Sequence, residues 1–377
     1  MISFDNTKVA FASKSDKDLQ WSYRLFKMIG KPWLVSIGGW FQNLAFALRL
    51  PIKGIIKRTI FQQFCGGESI NDCDAKIKSL AKFKVGTILD YSVEGKEEED
   101  DLDRTKDEII ATILKSKGNK EIPFAVFKPT GICKCALLKK ANKSEADLQG
   151  KDLEDWAVVL QRLDEICKAA FEADVPVFID AEDSWYQDAI DRIADNMMEK
   201  YNKEKAIIYN TIQMYRHDRL AFFKTSHELA KKEGYILGVK LVRGAYMEKE
   251  REKAAAEGYP SPIQATKADT DRDYNLALAY MVENVKDIWF CAGSHNEESA
   301  EVLMKLMAEH KLPANDHRIY FAQLLGMSDH ISFNLSNAEY NVAKYVPYGP
   351  VKEVMPYLMR RARENTSVAG QMGRELS

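Results

Sequence analysis

The chain has 377 residues, 46% hydrophobic and 29% charged, with a formal net charge of −2. This is the composition of a globular protein, long enough for one large α/β domain plus an accessory region, and its near-neutral charge excludes a global pull toward nucleic acid. Of six cysteines only Cys133 and Cys135 are close-set, with no second pair and no nearby histidines, so no metal site is expected and the thiols read as reduced.

The N-terminus carries no hydrophobic signal core. Residues 1–80 are helical in pattern and read as an N-terminal arm, with residues 81–377 forming the catalytic domain. Within the arm, Pro32 to Phe61 mixes aromatic and aliphatic residues with Gly38, Gly39, Gln42, Asn43, Arg49 and Pro51, and Lys53, Lys57 and Arg58 lie in its last third. A spanning helix needs ~20 mostly apolar residues, so this is not one. Packing onto the main domain is expected, and interfacial attachment to a membrane is the alternative. The expected location is cytoplasmic, or peripheral on the inner face of a membrane.

From Gly86 onward, short runs of β-branched and aromatic residues alternate with longer amphipathic ones. The predicted strands are Gly86–Tyr91, Pro123–Lys128, Val175–Asp180, Ala206–Gln213, Tyr235–Arg243, Asp287–Ala292, Arg318–Gln323 and Asn341–Val346. Helical patterns such as Leu153–Lys168 separate them, and the acidic run Glu97–Asp101 suits a solvated loop or a helix start. Strict alternation means a parallel sheet, and eight repeats fit a closed (βα)8 barrel better than an open sheet. A last helix, carrying Tyr357, Arg360, Arg361 and Glu364 on roughly one face, follows Pro347 and Gly349 and would cover the barrel mouth. Two adjacent guanidiniums beside aromatic rings suit the capture of a small carboxylate.

In such a barrel the active site lies at the C-terminal ends of the strands. The polar residues that end the runs are Asp90, with Glu94 just beyond; Lys128 and Thr130; Asp180, Glu182 and Asp183; Gln213; Lys240 and Arg243; Ser294, His295 and Asn296; Gln323; and Tyr345. Alternation puts Lys128 on the face of Phe124 and Val126, and Asp180 on the face of Phe178. Inward charges are costly unless paired or used, so a ring of them marks a site. No Gly-Xaa-Ser-Xaa-Gly, no Gly-Xaa-Gly-Xaa-Xaa-Gly and no Walker loop is present. A polar site without an obvious nucleophile favours a cofactor that brings its own chemistry.

The ordered set Lys128-Pro-Thr, Asp180-Ala-Glu, Lys240-Leu-Val-Arg-Gly-Ala-Tyr246, Ser294-His-Asn, Gln323-Leu-Leu-Gly-Met and Tyr345 with Arg360-Arg361-Xaa-Xaa-Glu364-Asn365 resembles proline dehydrogenase, over residues 86–367. The resemblance implies a distorted (βα)8 barrel holding FAD. It also implies oxidation of L-proline to Δ1-pyrroline-5-carboxylate, the first step of proline catabolism to glutamate, with electrons passed to a membrane quinone. Carried over by position, Arg360 and Arg361 hold the substrate carboxylate with Lys128. Ala245, Leu324, Tyr345 and Tyr357 wall the ring, Asp180 organises the site around Tyr345, and Glu94 is a gating acid. Gln213, Lys240, Val242, Gly244, Ser294, His295, Asn296, Gln323, Glu364, Thr366 and Ser367 line the flavin. Lys240 and Arg243 stand where many members carry Arg and Lys. With no aldehyde dehydrogenase module after Ser377, a monofunctional enzyme is expected, with pyrroline-5-carboxylate dehydrogenase as a transient partner.

Three rival readings accompany this one; one is a non-enzymatic binding module, which would not need charged groups on so many strand ends. A hydroxyproline dehydrogenase would need room for a ring hydroxyl, against which Tyr345 argues. A barrel lyase or aldolase would use Lys128 or Lys240 as a Schiff base.

Overall fold

Residues 3–29, 53–93 and 95–367 are described here in a computed structural model of the chain. Each predicted strand forms, within a few residues of its expected ends: β1 Val85–Tyr91, β2 Phe124–Phe127, β3 Val177–Ile179, β4 Ile208–Gln213, β5 Leu237–Val242, β6 Ile288–Gly293, β7 Ile319–Leu324 and β8 Val342–Tyr348. All pair in parallel with their sequence neighbours. The sheet closes through β1 and β8, in register from Val85↔Val342 to Tyr91↔Tyr348. The fold is a closed (βα)8 barrel, which leaves no strand edge exposed.

The principal helices are α1 Glu99–Ser116, α2 Lys151–Ala173, α3 Ser184–Tyr201, α4 Arg219–Glu233, α5 Lys267–Glu283, α6 Glu297–Glu309, α7 Asp329–Asn337 and α8 Val351–Ser367. The acidic run opens α1, placing Glu99, Asp100 and Asp101 in its first turn, where the helix dipole favours negative charge. Helix α5 begins with a reciprocal capping box between Thr266 and Asp269. A shorter helix, Met247–Glu257, lies between β5 and α5.

Alternation along the strands divides the interior into two layers. Toward the N-terminal ends, Phe124 stacks on Phe178 at 4.4 Å, and Tyr209 and Tyr320 meet Phe124 edge-on. This aromatic plug belongs to a buried cluster with Ile88, Val126 and Cys291. Toward the C-terminal ends the inward positions become Lys128, Asp180, Lys240 and Tyr345, all buried. The plug is the floor on which the charged layer stands.

The helices before the barrel include Thr7–Ala10, Asp16–Ile29 and Lys53–Ile56. Their apolar residues join clusters shared with the barrel: Phe4 enters the main core, and Leu25, Phe61, Phe64 and Cys65 pack with Val351, Val354, Met355, Tyr357 and Leu358 of α8. Most of the membrane-contact candidate Pro32–Phe61 (32–52) lies outside the described residues. Among the described residues no helix is long and apolar enough to cross a membrane.

Candidate functional site

The upper layer of the barrel is a single hydrogen-bonded cluster. Lys128 Nζ, one residue past β2, donates to Tyr345 OH at 3.2 Å and lies 3.4 Å from both Asp90 Oδ2 and Asp180 Oδ2. Tyr345 OH donates to Asp180 Oδ2 at 2.9 Å, and Lys240 Nζ donates to Asp180 Oδ1 at 2.5 Å. The Lys240 ammonium also lies 4.7 Å from the centre of the Tyr345 ring and 5.4 Å from that of Phe178, within cation–π range. Ser92 Oγ donates to Asp90. Three strands, β1, β5 and β8, and the residues just after β2 and β3 thus converge in the barrel interior.

The two carboxyls behave oppositely. Burial raises Asp90 above the ordinary carboxylate range, against the pull of Lys128. Burial also works on Asp180, but Lys240 and Lys128 together outweigh it and hold that carboxyl below its usual value. The Tyr345 phenol is pushed well above its ordinary value by burial, with Asp180 and Asp90 adding to it, so it is a neutral donor. Two ammoniums therefore face one firmly ionised carboxylate, and burial favours the uncharged form of the second. The cluster leans positive, as a receptor for a carboxylate should.

Beside it opens a cleft of about 650 Å³, bordered by Thr130, Glu182, Gly244, Ala245, Tyr246 and Arg360 among others. Its walls are tied down. Glu182 accepts from Thr130 N at 2.8 Å and Thr130 Oγ1 at 2.6 Å, and Gln213 Nε2 donates to Glu182 O at 2.8 Å. Ser184 N and Oγ donate to Glu250 Oε1 and Oε2 at 2.6 and 2.7 Å, anchoring helix Met247–Glu257 to the start of α3. Gly244 has φ +132°, and a Cβ there would come within 2.5 Å of the Tyr215 ring. Only glycine lets the backbone approach so closely in that conformation.

Helix α8 crosses over this end of the barrel. Arg360 lies 5.7 Å from the centre of the Tyr246 ring, and Arg361, one turn beyond Tyr357, stacks over that ring at 5.2 Å. The structure thus gathers Lys128, Asp180, Lys240 and Tyr345 into one cluster and sets Gly244, Ala245 and Arg360 on the cleft. Arg361 and Tyr357 are buried on the inner face of α8, Leu324 is half-buried at the end of β7, and Val242 is half-buried at the end of β5.

Ser294, His295, Asn296 and Gln323 do not border the cleft. Their polar atoms are engaged among themselves and with close neighbours. Arg243 donates to Ser294 Oγ at 2.7 Å, and Gln323 Nε2 donates to Ser294 O at 3.1 Å. Asn296 Oδ1 accepts from Ser299 N at 2.9 Å, capping α6, and His295 Nδ1 pairs with Ser328 Oγ at 2.9 Å. Burial, with Lys344 and Arg361 nearby, lowers the His295 imidazole to about 3, so it is neutral. Glu94 lies outside the described residues. Glu364, Thr366 and Ser367 fall in the last turns of α8, and their side chains lie outside the described ones. No group of acidic, histidine or cysteine side chains that could hold a metal occurs among the described residues.

The sequence places Asp90 in the ring of strand-end polar residues but assigns it no role there. Its signal was available, because Ile88 and Asp90 share the inward face of β1. Arg243, also named at a strand end but given no role, joins Asp271 Oδ1 at 2.7 Å and covers the Tyr274 ring at 4.3 Å.

The Proline dehydrogenase family model matches residues 73–374. Proline dehydrogenase 1, mitochondrial, of Dictyostelium discoideum is 33% identical over 98% of this chain and 72% of its own length. The Homo sapiens protein of the same name is 46% identical over 58% of this chain, a match covering 37% of the human protein. The carbapenem antibiotics biosynthesis protein CarD of Pectobacterium carotovorum subsp. carotovorum is 32% identical over 83% of this chain and 80% of its own. Among solved structures, proline utilization A from Bdellovibrio bacteriovorus, inactivated by N-propargylglycine, superposes with a TM-score of 0.75 over 98% of this chain and 39% of that one, at 21% identity. That likeness is one of fold. The family match and the Dictyostelium relative settle the kinship, and the chain belongs to the proline dehydrogenase family.

Proposed function

We propose that the chain oxidises L-proline to Δ1-pyrroline-5-carboxylate, with FAD as the hydride acceptor and a membrane quinone as the final electron acceptor. The observation that carries this reading is the Lys128–Asp180–Tyr345–Lys240 cluster, with Arg360 of α8 on the neighbouring cleft. It offers a buried, positively biased group of donors next to a cleft roomy enough for a small amino acid and part of a cofactor.

In this reading Arg360 and Arg361, with Lys128, hold the substrate carboxylate through charge-assisted hydrogen bonds. Ala245, Leu324, Tyr345 and Tyr357 wall the pyrrolidine ring. The reaction removes a hydride from the ring carbon next to nitrogen and a proton from the nitrogen, so the amine must be neutral when it reacts. Asp180 fixes the Tyr345 phenol and holds Lys240 in an ion pair, which limits motion at the reacting carbon. Helix α8 and helix Met247–Glu257 exclude water from the cleft.

The residues present fit a flavin. Gly244 brings backbone to the cleft where a side chain would collide, and the Lys240 ammonium stands beside it on β5. Gln213, Lys240, Val242 and Gly244 would hold it, with Ser294, His295, Asn296, Gln323, Glu364, Thr366 and Ser367 toward its outer part. FAD, when bound, supplies the two-electron acceptor, and Lys240 would favour negative charge developing on it. Quinone access implies a peripheral membrane position; the Dictyostelium and human relatives are named mitochondrial.

A Schiff-base lyase fits poorly, because Lys128 and Lys240 both engage Asp180, the opposite of an isolated desolvated amine. The test is an absorbance spectrum of the purified protein. A flavin band that bleaches on addition of L-proline supports the reading, and a colourless protein would sink it.

A further inference from the structure

The turn between β7 and α7 is held by residues from before the barrel. Gln63 Nε2 donates to Gly326 O at 3.1 Å, and Ser22 Oγ donates to Gln63 Oε1 at 3.2 Å. Gly326 has φ +75°, and a Cβ there would collide with the Gln63 backbone. On the barrel side, the fully buried Lys344 donates to Met327 O at 2.5 Å and reaches Leu324 O at 3.5 Å. Its ammonium pairs with Asp329 Oδ1 at 2.8 Å, and Lys14 pairs with Asp329 Oδ2, also at 2.8 Å. Burial would raise the Asp329 carboxyl, but Lys14 and Lys344 hold it well below its usual range.

The turn matters because of what it carries. Leu324 enters it from β7. Ser328, in the left-handed region at φ +51°, presents its hydroxyl to His295. Ser332 Oγ, one turn on, donates to Gln323 Oε1 at 2.7 Å. Lys344 and Tyr345 are successive residues of β8, so the same strand aims one side chain at the turn and the other into the site. A left-handed serine persists only where its surroundings over-determine it.

We propose that the segment before the barrel is a working part of the active site. Gln63, Lys14, Asp329 and Lys344 are positioning residues that set the β7–α7 turn and, through Leu324, one wall of the substrate pocket. This rests on the proposed proline oxidation for its kinetic readout. Removing a hold on the turn widens the pocket without touching the reacting groups. The loss therefore falls on substrate affinity rather than on turnover.

The experiment uses the full-length, flavin-loaded protein and three variants: Gln63→Ala, Lys344→Met and, as a control, Lys84→Ala. Lys344→Met leaves Asp329 paired with Lys14. Lys84 pairs with Glu339 on the exposed face, both side chains being more than half exposed. KM and kcat for L-proline, flavin content and hydrogen exchange across 324–329 are measured. In Gln63→Ala and in Lys344→Met, KM should rise at least about fivefold with kcat within about twofold. Exchange in the turn should quicken in both, and Lys84→Ala should change neither quantity. An unchanged KM in every turn variant that folds overturns the proposal, whether or not exchange quickens, because the turn is then structural only. Unchanged exchange overturns it as well. If the parent protein does not oxidise proline, the functional reading falls separately, and exchange still decides whether residues before the barrel hold the turn.

Discussion

The phenol of Tyr345 and the carboxylate of Asp180, 165 residues apart in sequence, meet at 2.9 Å inside the barrel. The bond joins β8 to the end of β3 across the interior. It orients Tyr345 so that its ring, not its hydroxyl, faces the Lys240 ammonium at 4.7 Å. A hydroxyl that accepts from Lys128 and donates to Asp180 has one arrangement that satisfies both, which is how a cup built from side chains becomes stiff.

Tyr345→Phe tests that stiffness. The ring stays, and Asp180 keeps both lysines. The lost hydrogen bonds involve charged groups, each contributing about 1.5–3 kcal/mol. The expected result is a fall in kcat/KM for L-proline of at least ~10-fold with flavin retained. Steady-state kinetics with a soluble quinone analogue make the measurement, and parental kcat/KM would remove the phenol from the site.

Arg360→Met and Arg361→Met should each raise KM for L-proline about 10- to 100-fold while flavin stays bound. The two guanidiniums differ in setting: Arg360 is half-buried at the cleft, and Arg361 is buried over Tyr357. The larger effect is therefore expected at Arg361, where desolvation strengthens the contact. Unchanged KM in both would eliminate the carboxylate role.

The eight strands were legible because each is a β-branched or aromatic run bounded by turn residues, and burial on both faces makes such runs conspicuous. The charged layer was legible in its members but not in its pairing. Asp90, Lys128 and Asp180 each end a strand, but that Lys128 lies between the two carboxylates follows from barrel closure and shear. Lys344 was opaque for a different reason. On β8 it alternates with Tyr345 as an outward lysine would, and its buried ammonium is held by Met327 O and by Asp329, which Lys14 joins from a distant segment. His295, Asn296 and Ser294 read as strand-end site residues, and the structure bonds them to Ser328, Ser299 and Arg243; Ser328 and Arg243 lie 33 and 51 residues from their partners, which a short motif cannot display.

Substrate choice gives a third test. Tyr345→Ser removes the ring that would crowd a hydroxyl on the substrate. The ratio of kcat/KM for hydroxyproline to that for proline should rise by about tenfold or more, within what one pocket contact can discriminate. Absolute activity should fall on both substrates, since the bond to Asp180 weakens. If the ratio stays flat, another residue forms the discriminating wall.

The last test concerns stability away from the site. Asp195 on α3 has Oδ1 buried without a hydrogen-bond partner, and burial, with Asp191 nearby, pushes its carboxyl from 3.8 up to about 7. Because the folded value lies above the unfolded one, the folded state keeps a proton that the unfolded chain has released. The stability due to that proton is full below the unfolded value and is lost as pH rises through the folded value. The wild-type protein should therefore weaken between about pH 4 and pH 7 through this one group. Asp195→Asn stays neutral throughout and escapes the loss. The side chain is only partly buried by exposed area, so the full shift is discounted to an expected gain of about 1–3 kcal/mol at pH 8 and little at pH 4. Thermal midpoints of both proteins at the two pH values make the comparison. A difference that does not change with pH would mean that Asp195 titrates in the folded state as it does in the unfolded chain, and that the solvent reaches it.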